Sequence, residues 1–170
     1  MKTARPSLLL ATLIALGSVA VARPLETRRI APVTPIAYTT AVEDARTLAA
    51  RHDAASVMRI SGDSMLPYFG DGSVVVVRPL AVERIREGMI VVYTNRDGEQ
   101  VAHRVVGHSA DGAWIARGYN NDRNDSTAVT ADNLLGVVYA TFHSNGDLTS
   151  DELLAGVEAG LPVALAAPAK

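Results

Sequence analysis

The chain has 170 residues, a net charge of −2 and no cysteine. This length suits one compact domain with tails, because a core can form from roughly 100–150 residues. The absence of a basic stripe argues against binding to nucleic-acid phosphates, so nucleic acid is not predicted as a partner. Without cysteine there is no disulfide, no thiolate metal site and no cysteine nucleophile. Covalent chemistry is therefore left to Ser, Thr or Lys, and neither a metal nor a cofactor is predicted.

Residues 1–22 predict an export signal. Lys2 and Arg5 precede the uncharged, mostly apolar run 7–22, which ends in the A-x-A pattern Ala20-Val21-Ala22. A spanning helix needs about 20 apolar residues, so cleavage after Ala22 is favoured over a retained membrane anchor. We therefore expect an extracytoplasmic protein, either secreted or periplasmic, or anchored to the membrane through this run.

A proline-containing linker, 23–40, leads to a predicted domain over 41–145. The domain begins with a predicted amphipathic helix over 41–52. After it, β-branched runs separated by Gly- and Asp-rich turns predict a compact, mainly antiparallel β domain. The predicted strands are Ser73–Arg78, Met89–Thr94, Glu99–Gly107, Ala113–Arg117 and Leu134–Phe142. For 146–170 we expect a C-terminal helix over 149–160 and a loose tail from Leu161, where Pro162 and Pro168 interrupt any helix.

Ser64 is the first candidate for chemistry. It lies on a turn between Gly62 and Pro67, after the apolar run Val57-Met58-Arg59-Ile60. A serine on such a turn can present its hydroxyl to a cleft, and its own N–H can stabilise a developing oxyanion. Taken alone, the segment is better explained as an unreactive Ser/Gly/Asp turn, since such turns are common.

His103 is the second candidate. Strand alternation places it on the same face as Val101 and Val105, which predicts an inward-pointing imidazole. Partial burial keeps an imidazole neutral near pH 7, the form that can accept a serine proton. A core histidine bonded to a backbone carbonyl would show the same pattern.

The polar loop 118–126, Gly-Tyr-Asn-Asn-Asp-Arg-Asn-Asp-Ser, is the third candidate. A base histidine works best when a carboxylate fixes its tautomer, and Asp122 or Asp125 can supply that carboxylate. Dense Asn and Asp are also typical of an ordinary surface loop.

Together, in this order, these segments resemble the catalytic domain shared by type I signal peptidases and LexA-type serine proteases, the S24/S26 superfamily. The resemblance covers about 57–142. Its four parts are Ser61-Gly62-Asp63-Ser64-Met65-Leu66-Pro67, Arg86 to Tyr93, Val101 to Gly107 and Gly118 to Gly136. It implies a coiled, antiparallel, β-barrel-like domain with a short N-terminal helix.

The resemblance also implies roles for residues. Ser64 takes the place of the nucleophile, and His103-Arg104-Val105 matches the histidine base of the archaeal and eukaryotic signal peptidases rather than the lysine of the bacterial and LexA-type enzymes. Asp125 falls at the place of the orienting carboxylate, ahead of Asp122. The residues around the serine, Ser61, Asp63, Met65 and Pro67, are implied in oxyanion stabilisation or substrate binding.

Two positions depart from the family pattern. Tyr119 replaces an aspartate, which leaves the identity of the acid open. Gly62 lacks the hydroxyl that can assist the oxyanion hole of bacterial signal peptidases.

The predicted function is a serine endopeptidase acting on exported proteins or leader peptides. The substrate is expected to be an extended peptide or preprotein with small residues before the cut. One alternative is a LexA-like switch that cleaves itself. The other is an inactive descendant that serves as a binding module, which the replacement of a family aspartate by Tyr119 suggests.

Overall fold

The computed structural model describes residues 30–145 and 161–166, so the predicted export signal and the predicted helix over 149–160 lie outside the described residues. Within these ranges, no helix is long and apolar enough to cross a membrane. The elements are α1 (Tyr38–Ala49), β1 (Ser56–Gly62), β2 (Ser73–Arg78), a short 3-10 helix (Val82–Arg84), β3 (Ile90–Thr94), β4 (Gln100–His108), β5 (Trp114–Arg117), β6 (Leu134–His143) and β7 (Val163–Ala166).

The described strands form one seven-stranded sheet in the order β3-β6-β2-β1-β7-β4-β5. Because β3 also pairs with β4, the sheet closes on itself into a barrel that leaves β5 as an outer strand. The mainly β fold with a single described α-helix confirms the predicted fold class. The two pairings of β7, with β1 and with β4, are parallel, whereas the other pairings among the described strands are antiparallel.

Alternation of side chains along the strands produces three apolar clusters. The first, the β7 cluster, is named here for the alanines that β7 contributes to it. Its buried members are Met58, Ile60, Met65, Phe69, Val75, Val77, Val92, Ala102, Ala164 and Ala166. A second cluster packs α1 against β1 and β2, and a third contains Val91, Tyr93 and Val101 beside Val105. Each strand of the barrel is therefore held by apolar burial as well as by its hydrogen-bond ladder.

The helix begins and ends three residues earlier than predicted. Tyr38 is buried in the first turn and packs in the cluster between α1 and the sheet. Because this contact lies before Ala41, tertiary packing extends the helix into a segment that the sequence assigns to the linker. The end of that linker is also tied to the domain, since the Thr34 N–H donates to Ser144 O and the Asn145 N–H donates to Ile36 O.

The C-terminal segment differs from the predicted loose tail. Residues 163–166 form β7, which lies between β1 and β4 within the sheet. An alanine-rich segment next to a proline has little intrinsic strand preference. It forms a strand here because two neighbouring strands supply hydrogen-bond partners on both of its sides.

Candidate active site

Ser64 lies two residues beyond the end of β1, on a turn that the sequence builds from small and polar residues. Gly62 has a φ of 108°, a conformation that favours glycine, and its N–H donates to Asp71 Oδ1 at 3.0 Å. Met65, next to the serine, is fully buried in the β7 cluster. The Asp71 carboxylate thus holds the turn before Ser64, and the buried Met65 side chain holds it after Ser64. Together they restrict the backbone conformation of Ser64.

The structure brings Ser64 and His103 together. Ser64 Oγ lies 2.7 Å from His103 Nε2, and the two residues are 1% and 2% exposed. His103 comes from the middle of β4, where it pairs with Val91 of β3. It shares the face of Val101 and Val105, which are buried in the third cluster, as strand alternation predicts.

The loop after β5 supplies the third group. Asp125 Oδ2 lies 2.7 Å from His103 Nδ1, and the Asp125 side chain is 8% exposed. Its backbone N–H donates to Ala116 O of β5 at 2.9 Å, which holds the loop at this place. Asp122, the other sequence candidate, is exposed, and the carboxylate that contacts His103 is that of Asp125.

The partners of His103 fit one tautomer of the neutral imidazole. A carboxylate accepts hydrogen bonds and a serine hydroxyl can donate one, so the two contacts match the ring that carries its proton on Nδ1. Nε2 is then unprotonated in the neutral ring and accepts the hydrogen bond of the Ser64 hydroxyl. This is the tautomer in which a histidine can remove the serine proton.

Tyr93 is a further member of the site that sequence reasoning missed. Its hydroxyl donates to Asp125 Oδ2 at 2.7 Å, so one carboxylate oxygen accepts bonds from both Tyr93 and His103. Burial, followed by the neighbouring Asp125 charge, raises the pKa of Tyr93 far above its ordinary value, which keeps the hydroxyl protonated as a donor. Strand alternation could have placed Tyr93 on the His103 face, but not beside Asp125.

The loop 118–120 is hydrogen-bonded to the turn that holds Ser64. The Asn120 N–H donates to Ser64 O at 2.7 Å, and Asn120 Nδ2 donates to Asp63 O at 3.2 Å. A Cβ on Gly118 would lie 2.7 Å from Ser64 O and 2.9 Å from Ser64 Cβ. Glycine at this position therefore permits the close approach of the two loops.

The remaining predicted residues surround the serine in different ways. Asp63 and Pro67 are exposed, whereas Ser61 is half-buried in β1 and pairs with Leu165 of β7. The Ser64 N–H, the expected oxyanion donor, donates to Ala166 O of β7 at 2.8 Å.

Tyr119, the departure from the family pattern, contacts Arg104 and Tyr68. Its ring lies under the Arg104 guanidinium, with 4.3 Å from Cζ to the ring centroid, and 4.1 Å from the centroid of the exposed Tyr68 ring. It also packs against the β7 cluster. The position is filled by a stacked aromatic residue, and the carboxylate at His103 is provided by Asp125.

The described residues contain no lysine, because the two lysines of the chain are Lys2 and Lys170. The side chain that is hydrogen-bonded to Ser64 Oγ is that of His103, in place of a lysine.

A comparison with curated proteins found no match. A comparison with protein families matched residues 27–138 to the Peptidase S24-like family. This match spans both loops of the site as well as β1 to β5, and the chain therefore belongs to the Peptidase S24-like family.

Proposed function

We propose that the protein is a serine endopeptidase that hydrolyses exported proteins or leader peptides. Ser64 acts as the nucleophile, His103 as the general base and Asp125 as the group that orients the imidazole. The observation that carries the proposal is the continuous chain of two 2.7 Å contacts, from Ser64 Oγ to His103 and from His103 to Asp125 Oδ2.

The chemistry follows from these contacts. His103 Nε2 removes the Ser64 proton as Oγ attacks a peptide carbonyl carbon, and the same nitrogen delivers the proton to the leaving amine. Asp125 stabilises the imidazolium that forms between these steps. Water then hydrolyses the acyl-enzyme through the same base. An inactive binding module would not need this connected set of buried groups, so the geometry favours an enzyme.

The proposed substrate is an extended segment with small side chains before the cut. β1 leads to Ser64, β4 bears His103, and β7 lies between them. A substrate strand that takes the place of β7 therefore passes the Ser64–His103 pair. The export of the enzyme is proposed from the apolar run 7–22. It would place the enzyme where exported proteins and leader peptides are found.

A peptide library tests this function. We expect the purified protein to cut extended peptides after small residues, and Ser64→Ala and His103→Ala each to abolish the cuts. Ser109→Ala serves as the matched control and should cut normally, because the Ser109 hydroxyl bonds to Asp111 and Ala113 within the turn between β4 and β5. Failure of the parent protein to cleave any peptide, or cleavage that survives Ser64→Ala, would refute the proposal.

A further inference from the structure

Arg104 and Arg117 lie directly opposite each other on β4 and β5. Both are partly exposed, and among the described residues neither guanidinium has a carboxylate within ion-pair distance. The Arg104 Nε atom is buried and makes no hydrogen bond within the same part of the chain. Like charges at opposite strand positions repel each other, and buried donors in proteins are normally paired. The two side chains therefore lack an anion that would satisfy them.

Aromatic rings order the Arg104 guanidinium in advance. Its Cζ atom lies 4.3 Å from the centroid of the Tyr119 ring, and that ring lies 4.1 Å from the Tyr68 ring. Tyr119 belongs to the loop whose Asn120 N–H donates to Ser64 O at 2.7 Å. Stacking restricts a long side chain that would otherwise lose conformational entropy on binding. A preorganised cation is therefore packed against the loop that is hydrogen-bonded to Ser64.

β7 marks the path of a substrate strand through the site. It lies between β1 and β4, and Ala166 O accepts the hydrogen bond of the Ser64 N–H at 2.8 Å. An oxyanion donor lies about 2.7–3.1 Å from the oxygen that it stabilises, so a substrate residue in the place of Ala166 presents its carbonyl to Ser64. The cut then follows this residue, and the substrate continues beyond the end of β7.

The register of β7 with β4 shows which side chains the continuing substrate meets. The two strands are parallel, and Leu165 lies opposite Val101. A substrate strand in this register has the first residue after the cut level with His103, the group that delivers a proton to the leaving amine. The second residue after the cut is level with Arg104.

The same register determines where the side chain of that second residue points. Residues at one level of neighbouring parallel strands have their side chains on one face, and alternate residues of a strand share a face. Ala166 and Ala102, which are at one level, both lie in the β7 cluster. Tyr119, which lies under Arg104, packs against this cluster. The side chain of the second residue after the cut therefore points to the face that carries Arg104.

From these observations we infer that Arg104 and Arg117 bind an acidic side chain, Asp or Glu, at the second residue after the cut. This inference rests on the proposed serine peptidase function and names a substrate feature that the same site selects. A planar guanidinium offers several N–H groups to a carboxylate, and the second guanidinium adds a further positive charge. Arg104 determines the specificity through direct contact, and Arg117 strengthens it from the neighbouring strand.

Cleavage of three matched peptides tests the inference. They carry Ala before the cut and differ only at the second residue after it, which is Asp, Asn or Lys. We expect wild-type protein to cut the Asp peptide with a kcat/KM roughly 10- to 100-fold above that of the Asn peptide, the range for hydrogen bonds to charged groups. The Lys peptide should be cut more slowly still. The gain should appear mainly in KM, because the contact is made before and during the reaction alike.

Variants of the two arginines separate specificity from a structural role. Arg104→Gln should cut the Asp and Asn peptides with equal kcat/KM, and Arg117→Gln should reduce the ratio between them. Arg123→Gln is the matched control, because it removes the same charge from an exposed position of the loop 118–126, and it should keep the wild-type ratio. A merely structural role would lower kcat/KM for all three peptides and leave their ratios unchanged, which would overturn the inference.

The remaining outcomes separate this inference from the function on which it rests. Wild-type protein that cuts the Asp and Asn peptides equally well would overturn the inference and leave the peptidase function intact. A wild-type ratio in Arg117→Gln would also overturn it, whether or not Arg104→Gln folds. An equal loss of the ratio in Arg123→Gln would assign the preference to the general charge of the surface and overturn the paired site. Protein that cuts none of the peptides would contradict the peptidase function, and this inference with it.

Discussion

Replacing Asp125 by asparagine removes the negative charge beside His103 with little change in shape. His103 Nδ1 and Asp125 Oδ2 are 2.7 Å apart, and both side chains are largely shielded from water. With the charge centres roughly 4 Å apart and an effective dielectric constant of about 20, the attraction of carboxylate and imidazolium is about 4 kcal/mol. At 1.36 kcal/mol per factor of ten, Asp125→Asn should slow the reaction of Ser64 by roughly 10³-fold.

The rate of fluorophosphonate labelling at pH 7.5 measures this effect in the full chain. Asp122→Asn is the matched control, because it removes the same charge from the same loop at an exposed position. Screening by solvent should keep its effect within about twofold. Equal rates for wild-type protein and Asp125→Asn would refute the role of Asp125, and an equal loss in both variants would show a general charge effect of the loop.

Three further changes have expected outcomes. Gly118→Ala should lower the labelling rate by about 10²-fold, because its Cβ would displace Ser64 from a position 2.7–2.9 Å away; an unchanged rate would contradict this. Tyr93→Phe should lower the free energy of unfolding in urea by about 1.5–3 kcal/mol, since it removes a hydrogen bond to a buried carboxylate, and no change would argue against that bond. Burial lowers the pKa of His143, so the folded protein should lose stability as the pH falls below about 6.5. His143→Gln should reduce that loss between pH 7.5 and 5.5 in the same urea measurement, and an identical loss in both proteins would exclude His143 as its source.

The strands of the barrel were largely predictable from the sequence. β2 is found at its predicted bounds, because a run of four valines between turn residues has no helical alternative. β3 to β6 begin and end within one residue of prediction. The closure of the sheet was not predictable from local pattern, since pairing of β3 with both β4 and β6 depends on contacts between distant segments.

The candidate site was predictable in its members better than in its contacts. Side-chain alternation along the strand predicted that His103 lies on an apolar face. The order of the motifs in the chain predicted that Ser64 and His103 belong to one site. Asp122 and Asp125 could not be separated by the residues themselves, because the path of the loop 118–126 decides which carboxylate faces inward. The hydrogen bond from the Asp125 backbone N–H to Ala116 O fixes the course of this loop, and this turns Asp125 toward His103.

β7 was missed because its signal lies outside its own sequence. Val163–Ala166 is short and follows Pro162, so local propensity predicts a tail. The strand forms through backbone pairing on both sides and through the burial of two alanine methyl groups. Ala164 and Ala166 carry no strand signal in the sequence, but their small side chains fit the buried space of the β7 cluster.

The central claim is that Ser64 is a nucleophile activated by His103. Mapping the fluorophosphonate adduct by peptide mass spectrometry, in wild-type protein and in His103→Ala, tests it most directly. The account predicts one adduct, on Ser64, whose formation is strongly reduced in His103→Ala. An adduct on another residue, no adduct in wild-type protein, or equal labelling of Ser64 in both proteins would contradict it.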